Sequence, residues 1–234
     1  MRPRFVYFDL DDTLLDHRRA ERAALADVYR RHSACLGAQP LEAVCDTYRR
    51  HNAPLWRDYA AGAISNADLK RLRFARTLDA PGVRGLCPEA LSDAYLEAYG
   101  THWTWTPGAE AAFEAIAARF PVGLLTNGFA EQQRAKLARF PRLARAARAV
   151  VISEEVGAMK PDPALFAHAA RCAGVPPEGI LYVGDALHSD VDGARAAGWQ
   201  VAWYRGDADL RPGVFTFDAW PSLLRVLLGE GPPA

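Results

Sequence analysis

Three carboxylates follow the first apolar run of the chain, at the spacing Asp9-x-Asp11-Asp12. Residues 5–8 before them are aromatic or β-branched, which is typical of a buried strand. Because a strand alternates its side chains, Asp9 and Asp11 lie on one side and converge on one point. Like charges at such a point repel one another unless a cation lies among them, and Mg²⁺ prefers oxygen ligands. The motif therefore predicts a Mg²⁺ site beyond the carboxyl end of this strand, where open α/β sheets bind ligands.

Three later strand ends carry polar groups that suit the same site. Thr126-Asn127-Gly128 offers a hydroxyl and backbone N–H groups to a phosphate oxygen. Lys160, which is followed by Pro161 and Pro163 and stands just before a predicted helix, offers an ammonium that neutralises phosphate charge. Gly184-Asp185 offers a further metal oxygen, and Asp190 an outer contact. Each has a plainer alternative (a turn, a solvated lysine, a helix cap), so the specificity of the prediction lies in their combination.

The length and composition fit one large domain or a domain with an insertion. The chain has 234 residues, 50% of them hydrophobic, and 28 basic against 28 acidic side chains. This balance gives no reason to expect a nucleic acid polymer or a membrane surface as a partner. The 4 cysteines form no Cys-x-x-Cys pair, which argues against a zinc site or a disulfide framework and favours a cytoplasmic setting. We expect neither a signal peptide nor a membrane span.

Two styles of sequence divide the chain. In the first, apolar residues recur at helical spacing and predict four helices, at about 18–31, 41–60, 65–78 and 88–99. In the second, strands alternate with helices. The predicted strands are 5–8, 122–126, 149–152, 180–185 and 201–204, and the predicted helices are about 109–119, 130–139, 163–173, 189–197 and 220–228. Such alternation predicts an α/β fold with a doubly wound parallel sheet, made of residues 1–16 and 101–234. Residues 17–100 would then be an inserted helical bundle.

The motifs resemble those of the haloacid dehalogenase-like (HAD) superfamily of hydrolases, in its branch of phosphatases with a helical cap. Residues 9–13 (DLDDT) match the first family motif, Thr126 the second, Lys160 the third, and Gly184-Asp185 with Asp190 the fourth. Three stretches are similar to YjjG-type pyrimidine 5′-nucleotidases and, somewhat less, to N-acylneuraminate-9-phosphatases: 125–129, 151–157 and 189–194. One departure is Ala186, where relatives often have a small hydroxyl residue.

The resemblance implies a Rossmann-like HAD core and a Mg²⁺-dependent phosphomonoester hydrolase. Asp9 is then the nucleophile that forms an aspartyl-phosphate, and Asp11 is the acid and base. The residues implied to bind the phosphoryl group are Thr126, Asn127 and Lys160. The implied metal contacts are Asp9, the backbone carbonyl of Asp11, and Asp185, with Asp190 orienting the outer shell of the metal.

The expected substrates are small phosphate esters, with nucleoside 5′-monophosphates first among them. Sugar phosphates, N-acylneuraminate 9-phosphate and a phosphomutase reaction remain alternatives. A 2-haloacid dehalogenase is disfavoured, because those relatives lack the second carboxylate of the first motif, here Asp11. A phospho-accepting signalling module is the non-enzyme alternative, although such modules are shorter and carry no cap. The sequence leaves monomer and homodimer open.

Overall fold

A computed structural model describes residues 2–36, 39–79, 85–207 and 210–229. The described chain forms two compact units, Met1–Asp16 with Thr104–Ala234, and His17–Trp103. The second unit thus ends at Trp103, whereas the sequence predicted residue 100. Within the described ranges, every helix is too short or too polar to cross a membrane. Each of the 4 cysteines is a free thiol.

A parallel sheet forms the centre of the first unit. Its strands among the described residues are Phe5–Phe8 (β1), Val122–Thr126 (β2), Ala147–Ile152 (β3), Ile180–Gly184 (β4), Gln200–Tyr204 (β5) and Phe215–Phe217 (β6). They lie in the order β3-β2-β1-β4-β5-β6, and all neighbouring pairs are parallel. β1, β2 and β4 are buried along their whole length, as in sheets that helices cover on both faces. The predicted α/β doubly wound fold is confirmed, and β6 is a strand that the sequence did not predict.

The second unit is a helical bundle in the part of the chain that the structure describes. Its helices are His17–Arg31 (α1), Leu41–Ala60 (α2), Asn66–Leu78 (α3) and Pro88–Thr101 (α4). Ser65 begins α3 with a capping box, in which its hydroxyl accepts the N–H of Asp68 and the Asp68 carboxylate accepts the N–H of Ser65. The apolar faces meet around Tyr48, Phe74 and Tyr95, whose ring centroids lie 5.3 to 5.5 Å apart. The bundle therefore has a core of its own.

Helices pack on both faces of the sheet in the first unit. They are Ala109–Ala117 (α5), Ala130–Arg139 (α6), Pro141–Ala146 (α7), Ser153–Val156 (α8), Pro163–Ala173 (α9), Gly193–Ala196 (α10) and Trp220–Leu228 (α11). Successive side chains of β1 point to opposite faces. Phe8 packs on Phe113 of α5 with ring centroids 5.4 Å apart, while Tyr7 stacks on Trp199 at 5.5 Å on the other face. This alternation fixes β1 between two apolar layers and leaves its carboxyl end for polar residues.

The predicted helix over 189–197 is wrong in its first half. Leu187–Asp192 forms a π-helical turn, and α10 begins only at Gly193. The N–H of Val191 donates to the carbonyl oxygen of Ala186, five residues earlier, at 3.2 Å. The carboxylate of Asp190 in turn accepts the N–H of Ala186 at 3.1 Å, which turns this side chain inward. Wide turns of this kind are often found at functional sites.

Candidate active site

The polar residues predicted from the sequence gather at the carboxyl ends of the three central strands. Asp9 follows β1, Thr126 ends β2, and Asp185 follows β4. β2 and β4 lie on opposite sides of β1, so the order in which strands are added to the sheet changes direction at this point. Open α/β sheets bind their ligands at such a switch point. Pairing continues one residue past β1, since the N–H of Asp9 donates to the carbonyl of Val183 at 2.9 Å. The fold therefore brings the three strand ends to one edge.

Lys160 lies at the centre of this edge and is 5% exposed. Its Nζ donates to Oδ1 of Asp9 at 2.6 Å and to the hydroxyl of Tyr182 at 2.6 Å. It also lies 2.8 Å from Oδ1 of Asp190. Burial lowers the pKa of Lys160, but the carboxylates of Asp190 and Asp9 outweigh burial and raise the pKa above its ordinary value. Lys160 is thus a fixed ammonium between two buried carboxylates.

The side chain of Asn127 fixes the backbone around Lys160. Its Oδ1 accepts the N–H of Lys160 at 2.8 Å, and its Nδ2 donates to the carbonyl of Lys160 at 3.0 Å. This reciprocal pair joins the loop after β2 to the loop before α9. The sequence predicted a phosphate contact for Asn127, which stays a prediction. The amide contact to Lys160 is an addition from the structure.

An acidic cluster surrounds this ammonium. Oxygen atoms of Asp9, Asp185 and Asp190 all lie within 4.8 Å of one another. Asp190 approaches the sheet so closely that a Cβ on Gly184 would lie 2.4 Å from its Oδ2, so the site requires glycine there. Burial raises the pKa of Asp9 well above its usual range. The ammonium of Lys160 opposes this rise, whereas the carboxylates of Asp190 and Asp185 increase it. The set of hard oxygen ligands, with more carboxylates than ammonium groups, fits a divalent cation such as Mg²⁺.

The carboxylate of Asp11 has different neighbours. Nζ of Lys136, on α6, lies 2.6 and 2.7 Å from its two oxygens. Nε2 of Gln133, one turn earlier, donates to Asp11 at 3.1 Å and to Oγ1 of Thr126 at 2.6 Å. The sequence analysis missed Gln133, Lys136 and Tyr182. For the first two, the available signal was their spacing of three residues on the helix that follows Thr126, which places them on one face.

Comparison with known proteins agrees with this geometry. The family model of the haloacid dehalogenase-like hydrolases matches residues 4–198. The chain belongs to this family. Pyrimidine 5′-nucleotidase YjjG of Escherichia coli (strain K12) is 32% identical over 200 residues, which are 85% of this chain and 84% of that protein. Phosphoserine phosphatase of Thermus thermophilus is 34% identical over 89% of this chain and 90% of that protein.

Solved structures show the same fold. The crystal structure of the HAD hydrolase YfnB from Bacillus subtilis, bound to magnesium, superposes with a TM-score of 0.83. It is 24% identical in sequence and covers 97% of this chain and 100% of that one. The chain is therefore a HAD-type hydrolase whose relatives include phosphatases and a 5′-nucleotidase.

Hydrogen bonds from neighbouring residues hold Asp185 and Asp190, the two carboxylates of the fourth motif, in place. The indole N–H of Trp203 donates to the carbonyl of Asp185 at 2.7 Å, and the hydroxyl of Thr13 lies 3.4 Å from Oδ1 of Asp185. Asp190 is 1% exposed and receives the backbone N–H of Ala186. The donor in this hydrogen bond is the backbone N–H of residue 186, so alanine supplies it without needing a hydroxyl group. The departure at Ala186 therefore leaves the bond between residues 186 and 190 in place.

Proposed function

We propose that this HAD hydrolase cleaves phosphate monoesters, depends on Mg²⁺ and forms an aspartyl-phosphate on Asp9. The observation that carries the proposal is the 2.6 Å contact between Asp9 and Lys160 inside the acidic cluster. A carboxylate attacks an anionic phosphorus centre only where positive charge offsets both partners. Lys160 supplies one such charge, and the neighbouring carboxylates keep it protonated.

The acidic cluster supports a metal in the same site. Three carboxylates, of Asp9, Asp185 and Asp190, face one ammonium, so the cluster carries excess negative charge. The raised pKa of Asp9 means that more positive charge is needed to keep the nucleophile ionised. Asp9, the backbone carbonyl of Asp11, and Asp185 would hold Mg²⁺, with Asp190 orienting its outer shell. Bound Mg²⁺ supplies a Lewis acid that polarises the phosphoryl oxygens.

The residues of the chain account for two successive displacements. In the first, a carboxylate oxygen of Asp9 bonds to phosphorus, the ester P–O bond breaks, and Asp11 gives its proton to the leaving alkoxide. In the second, a water oxygen bonds to phosphorus and gives its proton to Asp11. The P–O bond to Asp9 then breaks, which restores the carboxylate and releases inorganic phosphate. Thr126 and the N–H of Asn127 hold the phosphoryl oxygens, and Lys160 offsets their charge.

The substrates would be small phosphate esters, with nucleoside 5′-monophosphates as the first candidates. One similar protein is a pyrimidine 5′-nucleotidase and another a phosphoserine phosphatase, so both classes of ester belong in the test. We further propose that the helical unit, His17–Trp103, is the cap that selects the leaving group. Its insertion directly after the first motif and its own core support that role. Grafting this unit from a phosphatase with another preference should transfer that preference.

A screen of phosphate release tests the proposed function. The purified protein is assayed with dUMP, dTMP, UMP, phosphoserine and sugar phosphates, with Mg²⁺ and with a chelator. The proposal predicts Mg²⁺-dependent release and its loss in Asp9→Asn. Release limited to pyrimidine nucleotides would support a 5′-nucleotidase. Near-normal turnover by Asp9→Asn, or turnover that the chelator leaves unchanged, would contradict the mechanism.

A further inference from the structure

Gln133 and Lys136 are buried polar side chains that the proposed mechanism does not use. They are 1% and 2% exposed, and they lie three residues apart on α6. A lysine is almost never buried this deeply unless it is paired. Here the pair is bidentate, because Nζ of Lys136 lies 2.6 and 2.7 Å from the two carboxylate oxygens of Asp11. Helix α6 therefore places a buried ammonium directly against the carboxylate of Asp11.

The side chain of Asp11 is more exposed than the lysine that contacts it. The side chain of Asp11 is 25% exposed, whereas that of Lys136 is 3% exposed. A buried ammonium thus holds a carboxylate that is itself partly exposed. An acid that must reach a leaving group needs a fixed rotamer, since a misplacement of about 1 Å can reduce a rate about 100-fold.

Gln133 connects the same carboxylate to the second motif. Its Nε2 lies within hydrogen-bond distance of Asp11, at 3.1 Å, and of Oγ1 of Thr126, at 2.6 Å. The reversed amide would bring its oxygen against the Asp11 carboxylate, so the donor assignment follows from electrostatics. Oγ1 of Thr126 accepts this bond and donates its own proton to the carbonyl oxygen of Asn127 at 3.3 Å, a longer hydrogen bond that a phosphoryl oxygen would have to replace. The Nε2 of Gln133, which also lies 3.2 Å from the carbonyl oxygen of Asn127, thereby connects the Asp11 carboxylate to the hydroxyl and the backbone of the second motif.

We propose that Lys136 and Gln133 are positioning residues, which hold Asp11 in the orientation that protonates the leaving group and tie it to Thr126. This inference rests on the proposed function. It predicts that removing Lys136 harms reactions in which the leaving oxygen needs a proton, and spares reactions in which it does not.

The test compares two esters on the variant Lys136→Met. One is the best alkyl phosphate from the screen, whose alkoxide must be protonated. The other is 2,4-dinitrophenyl phosphate, whose phenolate leaves without a proton. We expect kcat/KM to fall about 10- to 100-fold for the alkyl ester, mainly through kcat, and by less than about threefold for the aryl ester. The ratio kcat/KM reports only the steps up to the first irreversible bond cleavage. The later hydrolysis of the aspartyl-phosphate, in which Asp11 acts as a base, therefore does not affect this comparison.

Two controls separate positioning from a general loss of structure. Arg134→Met removes a cation from the same helix. The ion pair that is lost, with Glu155 at an N–O distance of 2.7 Å, is exposed. This variant should therefore keep both rates within about twofold of the unmodified protein. Lys136→Arg keeps the charge and should restore most of the alkyl rate. If Lys136→Met does not fold, Lys136→Gln replaces it, with the same selective loss expected.

A double-mutant cycle shows whether Lys136 acts through Asp11. In the Asp11→Asn background, Lys136→Met should cost less than about threefold further on the alkyl ester. Equal losses on the two esters, no loss, or a full further loss in the Asp11→Asn background would overturn the positioning role while leaving the phosphatase function standing. Absence of Mg²⁺-dependent turnover by the unmodified protein would overturn the proposed function, and this inference with it.

Discussion

The substitution Lys160→Met removes an ammonium that two buried carboxylates share. Nζ of Lys160 lies 2.6 Å from Asp9 and 2.8 Å from Asp190, and the three side chains are 3%, 7% and 1% exposed. Methionine has a similar length and no charge, so the change leaves the shape of the site nearly intact and removes its central cation. The carboxylates then remain buried beside each other without that partner.

The expected cost follows from this burial. Removing one partner of a buried ion pair costs about 3–5 kcal/mol of the free energy of unfolding, because the remaining charge stays desolvated. For a protein of this size, that corresponds to a fall in melting temperature of about 6–20 °C. Arg134→Met is the matched control, since the pair of Arg134 with Glu155 is 52% and 35% exposed. Exposed pairs contribute at most about 1 kcal/mol, so the control should lose less than about 4 °C.

The pH dependence identifies the origin of the loss. Burial raises the pKa of Asp9, and Lys160 opposes that rise. In Lys160→Met the folded-state pKa of Asp9 therefore moves further above its value in the unfolded chain. A carboxyl group with a raised folded pKa contributes stability at low pH and loses it as the pH rises through that pKa. The cost of Lys160→Met should thus be smaller at acidic pH and grow as the pH rises through the folded-state pKa of Asp9.

The assay is thermal unfolding followed by circular dichroism, in a chelating buffer, on the unmodified protein and both variants. The reasoning predicts a large loss for Lys160→Met that grows with pH, and a small one for Arg134→Met. Equal losses for the two variants would refute the argument from burial. A large loss that does not change with pH would assign the effect to packing instead of charge.

Three further outcomes are expected. Asp11→Asn should lower kcat on alkyl phosphates about 10²–10⁴-fold, the usual contribution of a general acid and base, and a loss below about tenfold in steady-state assays would argue against that role. Mg²⁺ should raise the melting temperature of the unmodified protein and raise that of Asp185→Asn much less, because one oxygen ligand is lost; equal shifts would exclude Asp185 as a ligand. Gly123→Ala should lower the free energy of unfolding by about 1–3 kcal/mol in denaturant titrations, because its Cβ would lie 2.4 Å from the ring of Tyr7; unchanged stability would contradict this packing.

Local patterns in the sequence predict much of the fold. The helical unit is a clear example, because Pro88 at a first turn and Ser65 at a cap mark where helices begin. The strands that carry the motifs are uninterrupted apolar runs, as buried parallel strands are. β6 was missed because its three residues are too few to show a period. The start of the helix over 189–197 was misread because the inward contact of Asp190 widens the turn.

The site was predictable where its residues sit at strand ends, and less so where they sit inside elements. Asp9 and Asp185 follow apolar strands directly, and parallel strands bring such positions to one edge. Tyr182 lies within β4 and looks like an ordinary core residue, although its hydroxyl contacts Lys160. Lys136 looks like a favourable cation in the last turn of a helix, since its partner lies 125 positions away. Only the tertiary structure distinguishes these roles.

The central claim, that Asp9 receives the phosphoryl group, is tested most directly by trapping the intermediate. The protein is mixed with a good substrate and Mg²⁺, quenched in acid within the first turnover, and measured by intact-mass and peptide mass spectrometry. The account predicts a protein carrying one added phosphoryl group, located on the peptide that contains Asp9 and absent from Asp9→Asn. A phosphoryl group on another residue, or a full first turnover by Asp9→Asn, would contradict it.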